Sequence, residues 1–230
     1  MLTVLLLLTT TGAFAQGGPP LRTDDPGTPG PNKWEINIGV GAELSSAGHD
    51  YDLPNVDLNY GVGNNIQLKY EVPIVVSSGN PAALGYSKIG VKWRFIDEEK
   101  NGIAVSIYPQ VSFNQNFQGT RFLMPVEVSK TINPVTIFAE TGYNFIQGKM
   151  GEWLYAVAVG YNVTPDVEIL GEAHGNVRAD FKDDELLVNA GVRVRLAKKL
   201  LLLLSAGHTV RNYSDEQSRF IMYVGVRYLP

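Results

Sequence analysis

The chain has 230 residues, 44% of them hydrophobic and 18% charged, a balance that fits neither a disordered chain nor a bundle of membrane helices. A net charge of −4 gives no reason to expect nucleic acid or an anionic membrane surface as partner. With no cysteine, disulfides, thiolate metal sites and cysteine nucleophiles are all excluded.

The first element is a secretory signal over residues 1–15. An apolar run from Leu2 to Leu8 precedes a small-x-small site, Ala13-Phe14-Ala15, with cleavage expected before Gln16. No later apolar run approaches the roughly 20 residues a spanning helix needs, so a membrane protein of this sequence must cross with strands. Residues 16–33 are rich in Gly, Pro and Asp and read as an irregular lead on the periplasmic side, or as a plug.

From Trp34 the pattern becomes a strict alternation, the strand signal. Trp34, Ile36, Ile38, Val40, Ala42 and Leu44 share one face; Glu35, Asn37, Gly39, Gly41 and Glu43 share the other. The same alternation recurs over 53–60, 66–74, 88–95, 103–113, 121–130, 135–145, 153–162, 166–177, 186–195, 200–210 and 219–229. Pro54 and Pro125 are expected to weaken two of these strands. Twelve strands between Trp34 and Tyr228 leave about 16 residues for each strand with its connection, close to the requirement of an outer-membrane barrel.

Connections alternate in length. Tight ones lie at Gly61–Asn64, Asp97–Gly102, Asn133-Pro134, Thr164-Pro165 and Ala197–Lys199. Longer ones lie at Ser45–Asp52, Ser77–Tyr86, Asn114–Thr120, Gln147–Glu152, Arg178–Glu185 and Arg211–Ser218. The expected fold is therefore all-β: a transmembrane up-and-down antiparallel β-barrel of about twelve strands over residues 34–230, with both termini on the periplasmic side.

A soluble barrel alternates too, but three features oppose it. Twelve apolar faces turned inward would line a lumen too wide to fill. The polar face carries glycines at 39, 41, 90, 142, 160, 191, 207 and 225, which suits a crowded interior. The aromatics gather at strand ends, with Trp34, Tyr60, Trp93, Phe95, Tyr161 and Tyr228 at one level and Phe113, Phe122, Tyr143, Phe145, Trp153 and Phe220 at the other. Such girdles mark membrane interfaces.

The inward face is expected to carry Glu35, Lys69, Glu71, Lys92, Arg94, Glu127, Glu140, Glu172, Arg193 and Arg195. Near-balance of sign over this lining argues against a strong ion filter, and buried charges often serve only as a structural network. Strands 7 to 12 add a semi-apolar wall with Phe138, Leu154, Leu170 and Tyr223, joined by Tyr108. Such a wall suits small amphipathic or aromatic solutes, or ordinary interior packing. No catalytic set is evident: His49, His174 and His208 are scattered, and Asp24-Asp25 and Asp183-Asp184-Glu185 lack metal-loop spacing and read as solvated charge runs.

One segment is more specific. Gly18-Pro19-Pro20, Thr23-Asp24-Asp25-Pro26 and Trp34-Glu35-Ile36-Asn37 resemble the opening of the MetA-pathway of phenol degradation family of outer-membrane barrels. The resemblance implies a channel for passive uptake of small hydrophobic or aromatic molecules, with no cofactor, no metal and no catalytic residues. Expected partners are outer-membrane lipids, the solute and the barrel assembly machinery, in the outer membrane of a Gram-negative-type bacterium. Such barrels usually end on an aromatic residue; here Tyr228, two residues short of Pro230, is placed to serve. The alternatives are a non-conducting barrel closed by its charges, or a rim hydrolase.

Overall fold

The computed structural model describes residues 18–46, 48–77, 79–211 and 219–230. The signal segment, residues 16–17 of the lead and most of the loop after Arg211 lie outside the described residues.

One antiparallel sheet closes on itself. In chain order its strands are β1 (Trp34–Leu44), β2 (His49–Val62), β3 (Ile66–Ser77), β4 (Ala83–Leu84), β5 (Ser87–Ile96), β6 (Ala104–Ile107), β7 (Gln110–Phe113), β8 (Arg121–Ile132), β9 (Val135–Ile146), β10 (Glu152–Thr164), β11 (Val167–Arg178), β12 (Asp184–Ala197), β13 (Leu200–Arg211) and β14 (Phe220–Tyr228). β6 and β7 form one interrupted stave and β4 is a short bridge on β3, so the wall has twelve staves, sealed where β14 pairs with β1. A helical turn, α1 (Glu98–Asn101), fills the β5–β6 connection, capped by the Asp97 side chain.

Alternation decides which way each side chain points. Val40, Val91, Val157 and Val224 lie on the outer surface, each about half exposed; Asn37, Lys92, Glu127, Glu168, Arg193 and Arg227 are buried inside. A wall one sheet thick that exposes its aliphatic side and buries its charges is stable only with lipid around it. The register groups the aromatics by height: Trp34 faces Tyr60, Phe122 faces Phe145, and Trp153 faces Tyr143. Trp34, Trp93, Trp153, Tyr161 and Tyr228 all sit on the outer surface near strand ends.

Two local expectations need correction. His49–Asp52 belongs to β2 rather than to a loop, leaving only residues 45–48 between β1 and β2. Of the two prolines, one disturbs its strand as expected and the other does not. Pro54 falls where β2 shifts register against both neighbours. Pro125 leaves β8 unbroken; instead the next stave breaks at Tyr108-Pro109. A residue's N–H and C=O point to the same side of a strand. Tyr108 N donates to the Pro125 carbonyl (3.1 Å), so the missing Pro125 N–H faces this break, where the ladder is already interrupted.

Val157 pairs with Ala139 and Ala173 at mid-strand. Val157→Lys is expected to destabilise the barrel in lipid vesicles by about 2–4 kcal/mol, read as a lower urea midpoint. An unchanged midpoint would mean that this face does not meet lipid.

Candidate functional site

The lumen of a twelve-stave barrel is too wide for the wall's side chains to fill. Here Gly18 to Lys33 runs through it. Gly18 N donates to the Thr23 carbonyl (3.0 Å), closing a loop with Pro19, Pro20, Leu21 and Arg22 at its tip. The segment then descends to the tight-turn end, where Thr28 Oγ1 donates to the Asn64 carbonyl (3.0 Å) and Gly61 N to the Lys33 carbonyl (2.9 Å). A side chain at Gly61 would collide with the Gly30 carbonyl oxygen, so this joint requires glycine.

Wall residues hold the lead by its backbone. Glu172 on β11 accepts from Arg22 N (2.9 Å), Thr23 N (2.8 Å) and Thr23 Oγ1 (2.6 Å). Glu140 on β9 accepts from Asp24 N (2.9 Å). Ser205 Oγ donates to the Pro20 carbonyl (2.7 Å), Arg193 to that of Gly18 (3.3 Å) and Arg227 to that of Pro19 (3.1 Å). Lys92 on β5 binds Asp24 Oδ1 (2.8 Å), the Asp25 carbonyl and Glu127 (3.3 Å), with its ammonium 4.5 Å from the Tyr108 ring centre. Leu21 packs with Phe138, Ala158 and Leu170, and Pro20 fits over Gly191, where a Cβ would press on its ring.

Asp24-Asp25 is thus not a solvated charge run; Asp25 is only 2% exposed. Burial pushes Asp24 up, but Lys92 and then Lys69 outweigh it and hold that carboxyl below its ordinary range. Burial pushes Asp25 up to about 6, with Lys92 opposing and Asp24 adding to the rise.

The other inward charges form linked groups. Lys69 bridges Asp57 (3.3 Å) and Glu71 (3.2 Å), and Glu71 also takes Lys88 (3.1 Å). Arg193 pairs with Glu168 (2.9 Å) and Arg227 with Glu35 (3.2 Å). Arg94 and Arg195 sit at the tight-turn rim, partly exposed, near Asp97 and Asp166. Tyr108, Phe138, Leu154 and Leu170 are buried, and Tyr223 lies over Gly39 and Gly225. The semi-apolar wall is therefore not bare: the lead covers Phe138 and Leu170, while Leu154 and Tyr223 still border open space. Asn189 and Ser205, which help complete the lead's seat, carry no sequence signal of their own, because only the docked lead gives them a role, whereas Gly191 belongs to the inward glycines expected of a crowded interior.

Three cavities follow one another past the lead. The one at the long-loop end holds about 460 Å³ and is bordered by Arg22, Asp24, Glu71, Lys88, Arg121 and Tyr223, among others. The one at the tight-turn end holds about 390 Å³, beside Gly27, Asn64, Arg94 and Glu98. Between them a neck of about 20 Å³, room for about one water, shares Gly18, Asp24 and Lys69 with the first cavity and Gly27 with the second.

His174 borders the larger cavity, and the His208 ring meets the Arg219 carbonyl. Among the described residues no group of three or more His, Asp or Glu side chains is arranged to hold a metal ion.

No known family pattern matches the chain, and no curated protein matches it by sequence. Solved structures do match in fold. The KdgM porin in complex with disordered oligogalacturonate superposes with a TM-score of 0.64 at 11% identity, over 84% of this chain and 98% of that one. The NanC porin gives 0.65 at 12% identity, over 84% and 98%. The COG4313 outer membrane channel from Pseudomonas putida F1 gives 0.64 at 9% identity, over 86% and 96%. The chain shares the closed antiparallel barrel of these outer-membrane proteins.

Two predictions concern the lead. The Arg22–Thr23 peptide must leave the lumen before trypsin can cut it. Glu172→Gln weakens the charged clamp and is expected to speed cleavage after Arg22 about tenfold in vesicle-embedded protein, read by mass spectrometry of the fragments. Asp25 binds its proton more tightly docked than free, where its ordinary value is 3.8. Its share of docking strength is therefore present below about pH 4 and lost as pH rises through about 6. Asp25→Asn is expected to remove that share, so cleavage should rise less steeply over this window than in the unaltered protein.

Proposed function

We propose that this barrel is an outer-membrane channel for passive uptake of small molecules with a hydrophobic or aromatic part, and that its own lead is a resident plug. The observation that carries this is the mixed lining of the larger cavity. Leu154, Ile221 and Tyr223 border it together with charged side chains such as Lys69, Glu71 and Lys88. A molecule with a greasy part and a polar part finds contacts of both kinds there, and a further apolar cluster, Phe138 and Leu170, lies beneath Leu21. The likeness to the MetA-pathway family supports the same solute class. Its motifs at Gly18–Pro20 and Thr23–Pro26 coincide with the part of the lead seated in the lumen. In this setting Trp34, Trp93, Trp153, Tyr161 and Tyr228 anchor at the two lipid interfaces, the tight turns face the periplasm, and the barrel assembly machinery inserts the chain.

The porin KdgM has been seen with an oligogalacturonate, a polyanion. More carboxylates than ammonium groups border the neck here, which does not favour such a cargo. The neck's small volume supports a second reading, a structural barrel closed by its own lead.

Liposome swelling separates the two. Aromatic acids and alcohols are expected to enter faster than sugars of equal size, and faster still when Leu21→Ala and Glu172→Ala loosen the lead. No entry in either form would leave the structural barrel standing.

A further inference from the structure

Counted over the whole lumen, positive and negative side chains nearly balance; along the axial path they do not. Arg193 and Arg227 are tied to Glu168, Glu35 and the carbonyls of Gly18 and Pro19, and neither borders any of the three cavities. The neck is bordered by four carboxylates, Asp24, Asp25, Glu35 and Asp57, against two ammonium groups, Lys69 and Lys92. Both ammonium groups are already shared between carboxylates: Lys92 between Asp24 and Glu127, Lys69 between Asp57 and Glu71.

Of these four, Asp25 alone makes no ion pair among the described residues. One carboxylate oxygen accepts from Gly27 N, but Oδ2 is fully buried and has no hydrogen-bond partner. An ionised oxygen out of bulk water with no donor is unfavourable unless something positive or protic visits it. The Asp25 side chain is one of those that border the water-sized neck, where a donating water or a small cation stripped of most of its hydration would meet the field of Asp24, Asp25, Glu35 and Asp57. An anion there would meet the same carboxylates where the low surrounding dielectric strengthens repulsion.

We propose that the neck is the charge filter of the channel: with the lead docked it passes water and small monovalent cations and rejects anions, and Asp25 is the residue that sets this preference. The filter rests on the channel function proposed above. It assigns the docked barrel an ion pathway distinct from the route of larger solutes, which must displace the lead.

The test is the reversal potential of the full chain in planar bilayers under a potassium chloride gradient at mildly alkaline pH. The expected result is cation preference of about tenfold or more. Asp25→Asn keeps the oxygen that accepts from Gly27 N and is expected to move the reversal potential toward zero, whereas Glu43→Gln, bordering the larger cavity at the long-loop end, should shift it less. Trypsin resistance at Arg22 checks that the lead stays docked in each variant. Anion preference, no preference, or an Asp25→Asn channel as selective as the original would overturn the filter. So would silence from the full chain when the Leu21→Ala, Glu172→Ala form conducts, a result that spares the channel itself. Silence from both forms overturns the channel and the filter together.

Discussion

A sheet that closes on itself with lipid outside has only its interior in which to satisfy polar groups, and an interior twelve staves around is wider than its own side chains can fill. That constraint shapes the molecule. Glutamates, lysines and arginines on the inner face need partners, and facing residues supply only some of them. The lead supplies the rest. Its peptide N–H groups meet Glu172 and Glu140, and its carbonyls meet Arg193, Arg227, Ser205 and Lys92. Chain and wall are complementary in a literal sense: backbone groups that pair with no strand meet side chains that neighbouring staves satisfy only in part.

Position matters more than net energy in this arrangement. Buried ion pairs add little stability over apolar packing, because desolvation offsets most of their attraction, but removing one partner strands the other. The Lys92 centre joins β5, β8 through Glu127, and the lead through Asp24 and the Asp25 carbonyl. Leu21 adds the apolar contact that charges lack, seated on Phe138, Ala158 and Leu170. The lead is thus fixed laterally by charge and anchored by one hydrophobic side chain.

Most of the wall could be read from the alternation alone, including its strand count, its connections and the side that meets lipid. The departures have local causes. Pro125 was a poor guide to strand breaks because its imide nitrogen faces a gap in the neighbouring stave, and that neighbour is fixed by pairing, not by sequence proximity. The β1–β2 connection is shorter than expected because polar Asp50 and Asp52 continue a strand above the apolar band, where composition no longer marks it. Asp24-Asp25 looked like any exposed acidic pair, since nothing nearby in sequence hints at Lys92.

The period-two pattern by itself determined a closed β-barrel with aliphatic residues outward and charges inward, because side-chain direction in a strand is fixed by backbone geometry and needs no long-range information. Only the tertiary structure decided what those charges do. Which glutamate holds the lead, which arginines turn away from the axis, and which carboxylates border the neck depend on the route of sixteen or so residues through the lumen. That route is set by contacts such as Arg22 with Glu172 and Gly18 with Arg193, between groups some 150 residues or more apart in the chain, and no local rule of sequence reaches so far.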